Sequence, residues 1–358
     1  MRLPFLPFCM LVFNAGLVPA AAAHDTSSPA IGFSIFTWPV DESLAMGGAL
    51  LFWMVAAWRA ARAGGTIAAA LLSAAVASAV WICVVLHLDA WIVASLFVSC
   101  WLYAAGLYHL RQVTRHSTRS WARRAVFFNC GLAVLVVALL SPVEMLGEEL
   151  FAMHMVQHEL LMLGAAPLIV AGRPLVVFIW AFPAAWRRHI ASAIKSPAIL
   201  GPWTALTRPL VTWSLHALIL WVWHFPSLFQ AGLTSNTVHT VQHLSFLLSA
   251  LLFWSSILGP HAWLRHGIAV PYLLTTAIHT GILGALLTFS PRAWYPLYAT
   301  RTEYWGVTPL QDQQLGGLIM WVPAGFVFVF VGLALAARLI VPPIGSRPQG
   351  IPPAGSRS

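Results

Sequence analysis

The chain has 358 residues, of which 59% are hydrophobic and 8% charged, and it carries a formal net charge of +9. With a mean hydropathy of +0.81, this composition excludes an ordinary soluble globular domain and points to a bilayer as the solvent. The basic residues are scattered between apolar stretches, without a dense run or an aromatic-interleaved patch, so nucleic acid is excluded as a partner and the charges report topology instead.

The chain opens with Arg2, an apolar run from Leu3 to Val18 and the small residues Ala21, Ala22 and Ala23. That order is the signature of a secretory signal peptide over residues 1–23, cleaved near Ala23. An uncleaved first helix is the alternative, and either version puts His24 outside. Nine further segments approach the roughly 20 apolar residues that a hydrocarbon core requires. They lie at about 43–62, 66–87, 89–110, 124–141, 150–171, 209–226, 238–259, 270–290 and 314–338. The expected fold is therefore all-α, a polytopic transmembrane bundle. It divides into an extension with two spans (24–88), a core of seven (89–340) and a Pro-, Gly- and Ser-rich disordered tail (341–358).

Arginine and lysine test this count independently. With the mature N-terminus outside, sixteen of them fall on the cytoplasmic side, and Arg292 and Arg301 alone fall outside, Arg2 being in the leader. One missed helix would scramble that positive-inside bias. The predicted location is a bacterial inner membrane, with the C-terminus cytoplasmic. Between Arg173 and Arg208, five apolar residues (Trp180, Trp186, Ile190, Ile194, Trp203) stand among bases and prolines, as expected of a helix lying on the cytoplasmic interface. The cysteines sit singly in apolar runs without CxxC pairing and read as small hydrophobes.

The chemistry lies in the histidines. His154 and His158, in HMVQH, are four residues apart, so on a helix they share one face about 6 Å apart along the axis and can converge on one ion. His239 and His243, in HTVQH, repeat the arrangement on a second helix that also starts from the outside. His224, in WHFP, closes a third, where Pro226 ends the helix. A lone intramembrane histidine is more often a hydrogen-bonded packing residue, but five at matched depth are costly to desolvate and point to a metal or cofactor. Further candidates, as ligands or as groups behind them, are His216 and His279 near mid-membrane, Met155, Glu159 and Asp312. Met145, Met153, Met155 and Met162 surround the first pair, and sulfur with imidazole favours Cu(I) among metals, although core packing explains each methionine singly. Glu159 sits about 100° around the helix from His158, and Asp312 opens the last span, where it either caps that helix or stands behind the ligands.

From about Trp91 to Leu339 the chain resembles the caa3-type CtaG family of cytochrome c oxidase assembly factors. The resemblance is carried by LYAAGLYHLR, ALLSPVE, HMVQHELLMLGAAPLIVAGRPL, WVWHFPSLFQAGL, VHTVQHLSFLLSALLFW, the His279 helix and DQQLGGLIMWVPAG. It implies a seven-helix core that matures a haem-copper oxidase, with copper as cargo and oxidase subunits and the lipid bilayer as partners; no Ser/His/Asp set, phosphate loop or nucleotide fingerprint suggests an enzyme. The family's histidine positions fall on His154, His158, His216, His224, His239, His243 and His279, with Asp312 beside them. The leader and the two N-terminal spans are departures from that pattern. Two other classes stay open. A b-type haem protein would use paired histidines axially, and a copper transporter would continue polar groups through the membrane, where His216, His279 and Glu159 mark only part of a path.

Overall fold

The computed structural model describes residues 90–113, 118–259 and 266–340. The leader, the segments at 43–62 and 66–87 and the tail lie outside the described residues. All regular structure among the described residues is helical.

Helix α1 (Ala90–Val113) is followed by α2 (Thr118–Leu140). The apolar run of α2 stops at Ser141, whose hydroxyl accepts from Val143 N at 3.2 Å and caps a short helix α3 (Pro142–Glu149), with Pro142 at a first-turn position that needs no N–H. Leu150 is extended, and the chain re-enters the membrane as α4 (Phe151–Glu159). This helix widens into a π-helical segment (Leu160–Ala165) and continues as α5 (Ala166–Gly172). Pro167 lacks the N–H that would close the preceding turn, and its ring crowds the carbonyl four residues back, which accounts for the widening. The span ends at Arg173, the only non-glycine residue with positive φ (54°) among those described.

The single interfacial helix expected across 173–208 is instead three: α6 (Pro174–Trp180), α7 (Ala184–Lys195) and α8 (Pro197–Leu206). Each starts at or next to a proline, and the residue before a proline is driven out of the helical region, as Ser196 (ψ 142°) shows before Pro197. Arg208 (ψ 137°) does the same before Pro209, where α9 (Pro209–Trp223) begins. The span expected at 209–226 is corrected accordingly. Its 15 residues cover only about 22 Å, and α9 reaches spanning length only together with α8, across a 66° bend.

His224 and Phe225 lead to α10 (Pro226–Thr234), so Pro226 ends one helix by opening the next. Then come α11 (Asn236–Leu258), α12 (His266–Thr288), a loop carrying the short α13 (Ala299–Thr302) between two 3₁₀ turns, and α14 (Pro309–Ile340). Six helices among the described residues are long and apolar enough to cross a membrane, or seven with the bent pair, as in a multi-pass membrane protein. Helix α11 is the most enclosed of the six and forms the centre.

Among the described residues, helices α12 and α14 pack against each other more extensively than any other pair. Gly284 and Gly317 make this approach feasible: a Cβ on Gly284 would lie 2.8 Å from the Gly317 carbonyl oxygen, and one on Gly317 2.7 Å from that of Gly284. In lipid, such backbone proximity supplies the packing that the hydrophobic effect supplies in water. Gly317→Leu is expected to cost about 1–3 kcal/mol by overpacking and to lower the thermal unfolding midpoint of the detergent-purified protein by several degrees. An unchanged midpoint would show that the two helices part there freely.

Candidate metal centre

The site begins with the end of α4. The first N–H groups of a helix have no partner within it, and those of Phe151 and Ala152 donate to the two carboxylate oxygens of Asp312 at 2.6 and 3.0 Å. Asp312 lies in the first turn of its own helix α14, yet its carboxylate serves a different one, 161 residues away. A negative group at this terminus also matches the positive end of the helix dipole. Asp312, left open as a cap of its own helix or a group behind the ligands, is bonded to the start of the helix carrying the first histidine pair and fixes it there.

From that anchored start, His154 and His158 project one turn apart with ring centroids 4.3 Å apart, and both are buried. His239 and His243 do the same from α11, with centroids 4.1 Å apart. The pairs face each other: His154 lies 5.4 Å from His239 and 5.7 Å from His243, and His158 lies 5.3 Å from His243. Ligand atoms of His154, His158 and His243 all fall within 4.8 Å of one another. Two nitrogens bound to one tetrahedral ion at 2.0–2.1 Å stand about 3.4 Å apart, so small rotations of the three rings would close the set.

His224 sits at the end of α9, its ring 6.3 Å from that of His158. Its Nδ1 lies 2.7 Å from the Leu220 carbonyl oxygen, which only accepts, so Nδ1 carries the proton and Nε2 presents a bare lone pair. That Nε2 lies 3.5 Å from Met155 Sδ, a second acceptor. Two lone pairs facing each other across this distance is an arrangement that a cation would bridge. Of the four methionines near the first pair, Met155 is the one seen against an imidazole among the described residues.

The remaining candidates are placed differently. His216 lies about two turns deeper on α9, with Nδ1 hydrogen-bonded to Ser249 Oγ at 3.0 Å and its ring 5.1 Å from that of Phe253. His279, on α12, stands edge-on to Trp213 at 5.3 Å, and neither of its ring nitrogens has a hydrogen-bond partner. These two form a separate mid-depth group. Glu159 is the last residue of α4 before the π-helical segment, and its buried Oε2 has no hydrogen-bond partner.

One residue of the site escaped the sequence reading. Glu144, present there only as the last residue of ALLSPVE, lies on α3 with its Oε1 3.8 Å from His239 Nδ1. Gln157 holds it in place by donating from Nε2 to the Glu144 carboxylate and to the Ala138 carbonyl (2.9 Å). A carboxylate oxygen of Glu144 and nitrogens of His239 and His243 form a second group within 4.8 Å. The usable signal was Gln157 itself, because HMVQH and HTVQH both put a glutamine before the second histidine.

An aromatic roof closes the histidine end. Phe229 packs 5.1 Å from His154 and 4.3 Å from Tyr295, which stacks on Phe151 at 4.8 Å. The hydroxyl of Tyr295 donates to the His224 carbonyl (2.9 Å), that of Tyr298 to the Gly147 carbonyl (3.0 Å), and the Arg301 guanidinium to the Glu148 carbonyl. Burial pushes both phenols above their ordinary range, and the nearby Asp312 carboxylate adds to this at Tyr298.

Two predictions follow from this geometry. Asp312→Ala leaves two helix-start N–H groups without an acceptor, at about 1–3 kcal/mol, so hydrogen exchange at Phe151 and Ala152 should accelerate while that of α2 stays unchanged. Exchange unchanged at those two amides would mean that water replaces the carboxylate. For the phenols, a pKa raised in the folded state means that their contribution to stability is full below about pH 10, the unfolded value, and is lost as pH rises through the folded one. An alkaline titration followed by tyrosinate absorbance should show a late phase whose amplitude falls by two tyrosines in Tyr295→Phe/Tyr298→Phe. A late phase of unchanged amplitude in the double variant would refute the enclosure of the roof.

The chain is 25% identical over 251 residues to uncharacterized proteins of Mycobacterium bovis and Mycobacterium tuberculosis, and 24% identical over 257 residues to one of Mycobacterium leprae. Each match covers 66% of this chain and 36% of the relative, so the chain spans about a third of the length of these curated relatives. No solved structure matches. Residues 101–341 match the family model described as cytochrome c oxidase caa3 assembly factor. That match takes in α2 to α14 and every histidine of the cluster, and the chain belongs to the caa3-type CtaG family of cytochrome c oxidase assembly factors.

Proposed function

We propose that this chain serves oxidase assembly by holding copper, as Cu(I), at its histidine end and handing it to an oxidase subunit. The observation that carries the reading is a set of imidazole nitrogens without hydrogen-bond partners, converging from two helices. These are His154 Nε2, both nitrogens of His158, His239 Nε2 and His243 Nε2. A buried polar atom left unsatisfied costs about 1–3 kcal/mol, so this concentration calls for an occupant, and neutral imidazoles are good ligands for copper. The Met155 and His224 acceptor pair extends the set with a soft donor, which favours the cuprous ion. The bias of basic residues toward the opposite side supports a histidine end that faces away from the cytoplasm.

The alternatives fare less well. An axial haem pair needs a flat macrocycle between its rings, whereas each of the four paired histidines has at least two of the others at 4.1–5.7 Å. A transport path would need a continuous series of open ligands deeper in the bundle, and among the described residues His279 and Glu159 alone offer unpartnered atoms there. There Thr212 bonds the hydroxyls of Ser256 (3.1 Å) and Tyr272 (3.0 Å), and Trp213 donates to Thr276 (3.1 Å). These groups satisfy one another, which favours handover at one face.

The test is the copper content of detergent-purified protein loaded anaerobically with Cu(I), beside a His154→Ala/His158→Ala/His239→Ala/His243→Ala variant of unchanged helicity. Near-stoichiometric copper in the wild type, lost from the variant, is expected. Equal copper in both, or none in either, would sink the metal reading.

A further inference from the structure

The two groups of ligand atoms share one residue. His243 stands in the buried set with His154 and His158 and in the outer set with Glu144 and His239. We propose that Glu144, His239 and His243 form a receiving position, from which copper passes inward to His154 and His158 with His243 bound throughout. This deepens the metal reading above and rests on it.

Three observations give the two positions an order. The first is exposure. The Glu144 and His239 side chains are 29% and 17% exposed, whereas His154 and His158 are 1% and 2% exposed. An ion arriving from water meets the first two before the others. The second is ligand character. The outer set offers one hard carboxylate oxygen, the inner set only imidazole nitrogen, and beyond it stand the Met155 thioether and His224 Nε2 at 3.5 Å. For a soft ion, each step inward exchanges a poorer donor for a better one, so the gradient runs in one direction without any change in oxidation state.

The third is spacing. His239 and His243 are one helical turn apart, with centroids at 4.1 Å, so an ion can move from one set to the other by exchanging one ligand at a time. Complete dissociation between the two would strip the ion bare in a low-dielectric interior, which is far more costly. Glu144 is suited to brief contact. Its carboxylate is already held by Gln157, so it can release the ion without becoming an unpaired buried charge.

The experiment follows copper uptake by the purified full-length chain from a colorimetric Cu(I) chelator, with the final copper content measured on the same samples. Glu144→Gln keeps an oxygen that accepts from Gln157 but binds metal poorly. It is expected to slow uptake at least tenfold while the His154, His158 and His243 position still fills. His158→Ala is expected to lose the slowly released copper and to keep a fraction that exchanges rapidly with the chelator, and Glu144→Gln/His158→Ala to lose that fraction as well. Uptake by Glu144→Gln at the wild-type rate would overturn the receiving position and leave the metal reading standing. Loss of all copper from Glu144→Gln, with its unfolding midpoint unchanged, would make Glu144 a permanent ligand and also overturn the proposal. A wild-type protein that takes up no copper would remove both.

Discussion

Two hydrogen bonds from the start of α4 to the Asp312 carboxylate tie the first histidine pair to the last helix of the bundle. The position of His154 and His158 depends on where α4 starts and how it is rotated, and its first turn has no internal partners to fix either. Asp312 supplies them from α14, which is itself locked to α12 through the Gly284 and Gly317 contact. The cluster is thereby referenced to the most extensively packed helix pair among the described residues. Helix α11, enclosed at the centre, brings the second pair to the same level.

The membrane imposes the second condition. With no water in the hydrocarbon region, polar groups must find partners inside the protein, and most here do: Thr212, Ser256, Tyr272, Trp213 and Thr276 bond among themselves. The unpartnered ring nitrogens of the histidine end stand out against that background. The same solvent that makes them expensive would strengthen any ion–ligand contact formed there. His279 has the same deficit at mid-depth but stands beside Trp213 rather than a second pair of ligands.

Much of this was legible in the sequence because it is local. The HxxxH spacing fixes two imidazoles on one helical face whatever the tertiary fold, and Pro226 marks the end of a helix through its own covalent geometry. Helix lengths and the arginine asymmetry follow from the bilayer. What was hidden depends on contacts between distant segments. Asp312 looks like an ordinary first-turn acid until α4 is placed against it, and Glu144 looks like a surface carboxylate until Gln157 turns it toward His239. The stretch from Arg173 to Arg208 was misread for another reason. Its bases and aromatics describe an interface correctly, but the break into three helices is set by Pro174, Pro183 and Pro197, whose constraints were subordinated to the amphipathic pattern.

The loop between α12 and α14 holds its place through Tyr295, Tyr298 and Arg301, and all three donate to main-chain oxygens, those of His224, Gly147 and Glu148. Every residue has such an oxygen, so the attachment is indifferent to the side chains at those three positions. The architecture of the roof and the chemistry beneath it are separable during evolution. The imidazole at position 224 can be exchanged for another side chain while the cover above it stays fastened by the same bond.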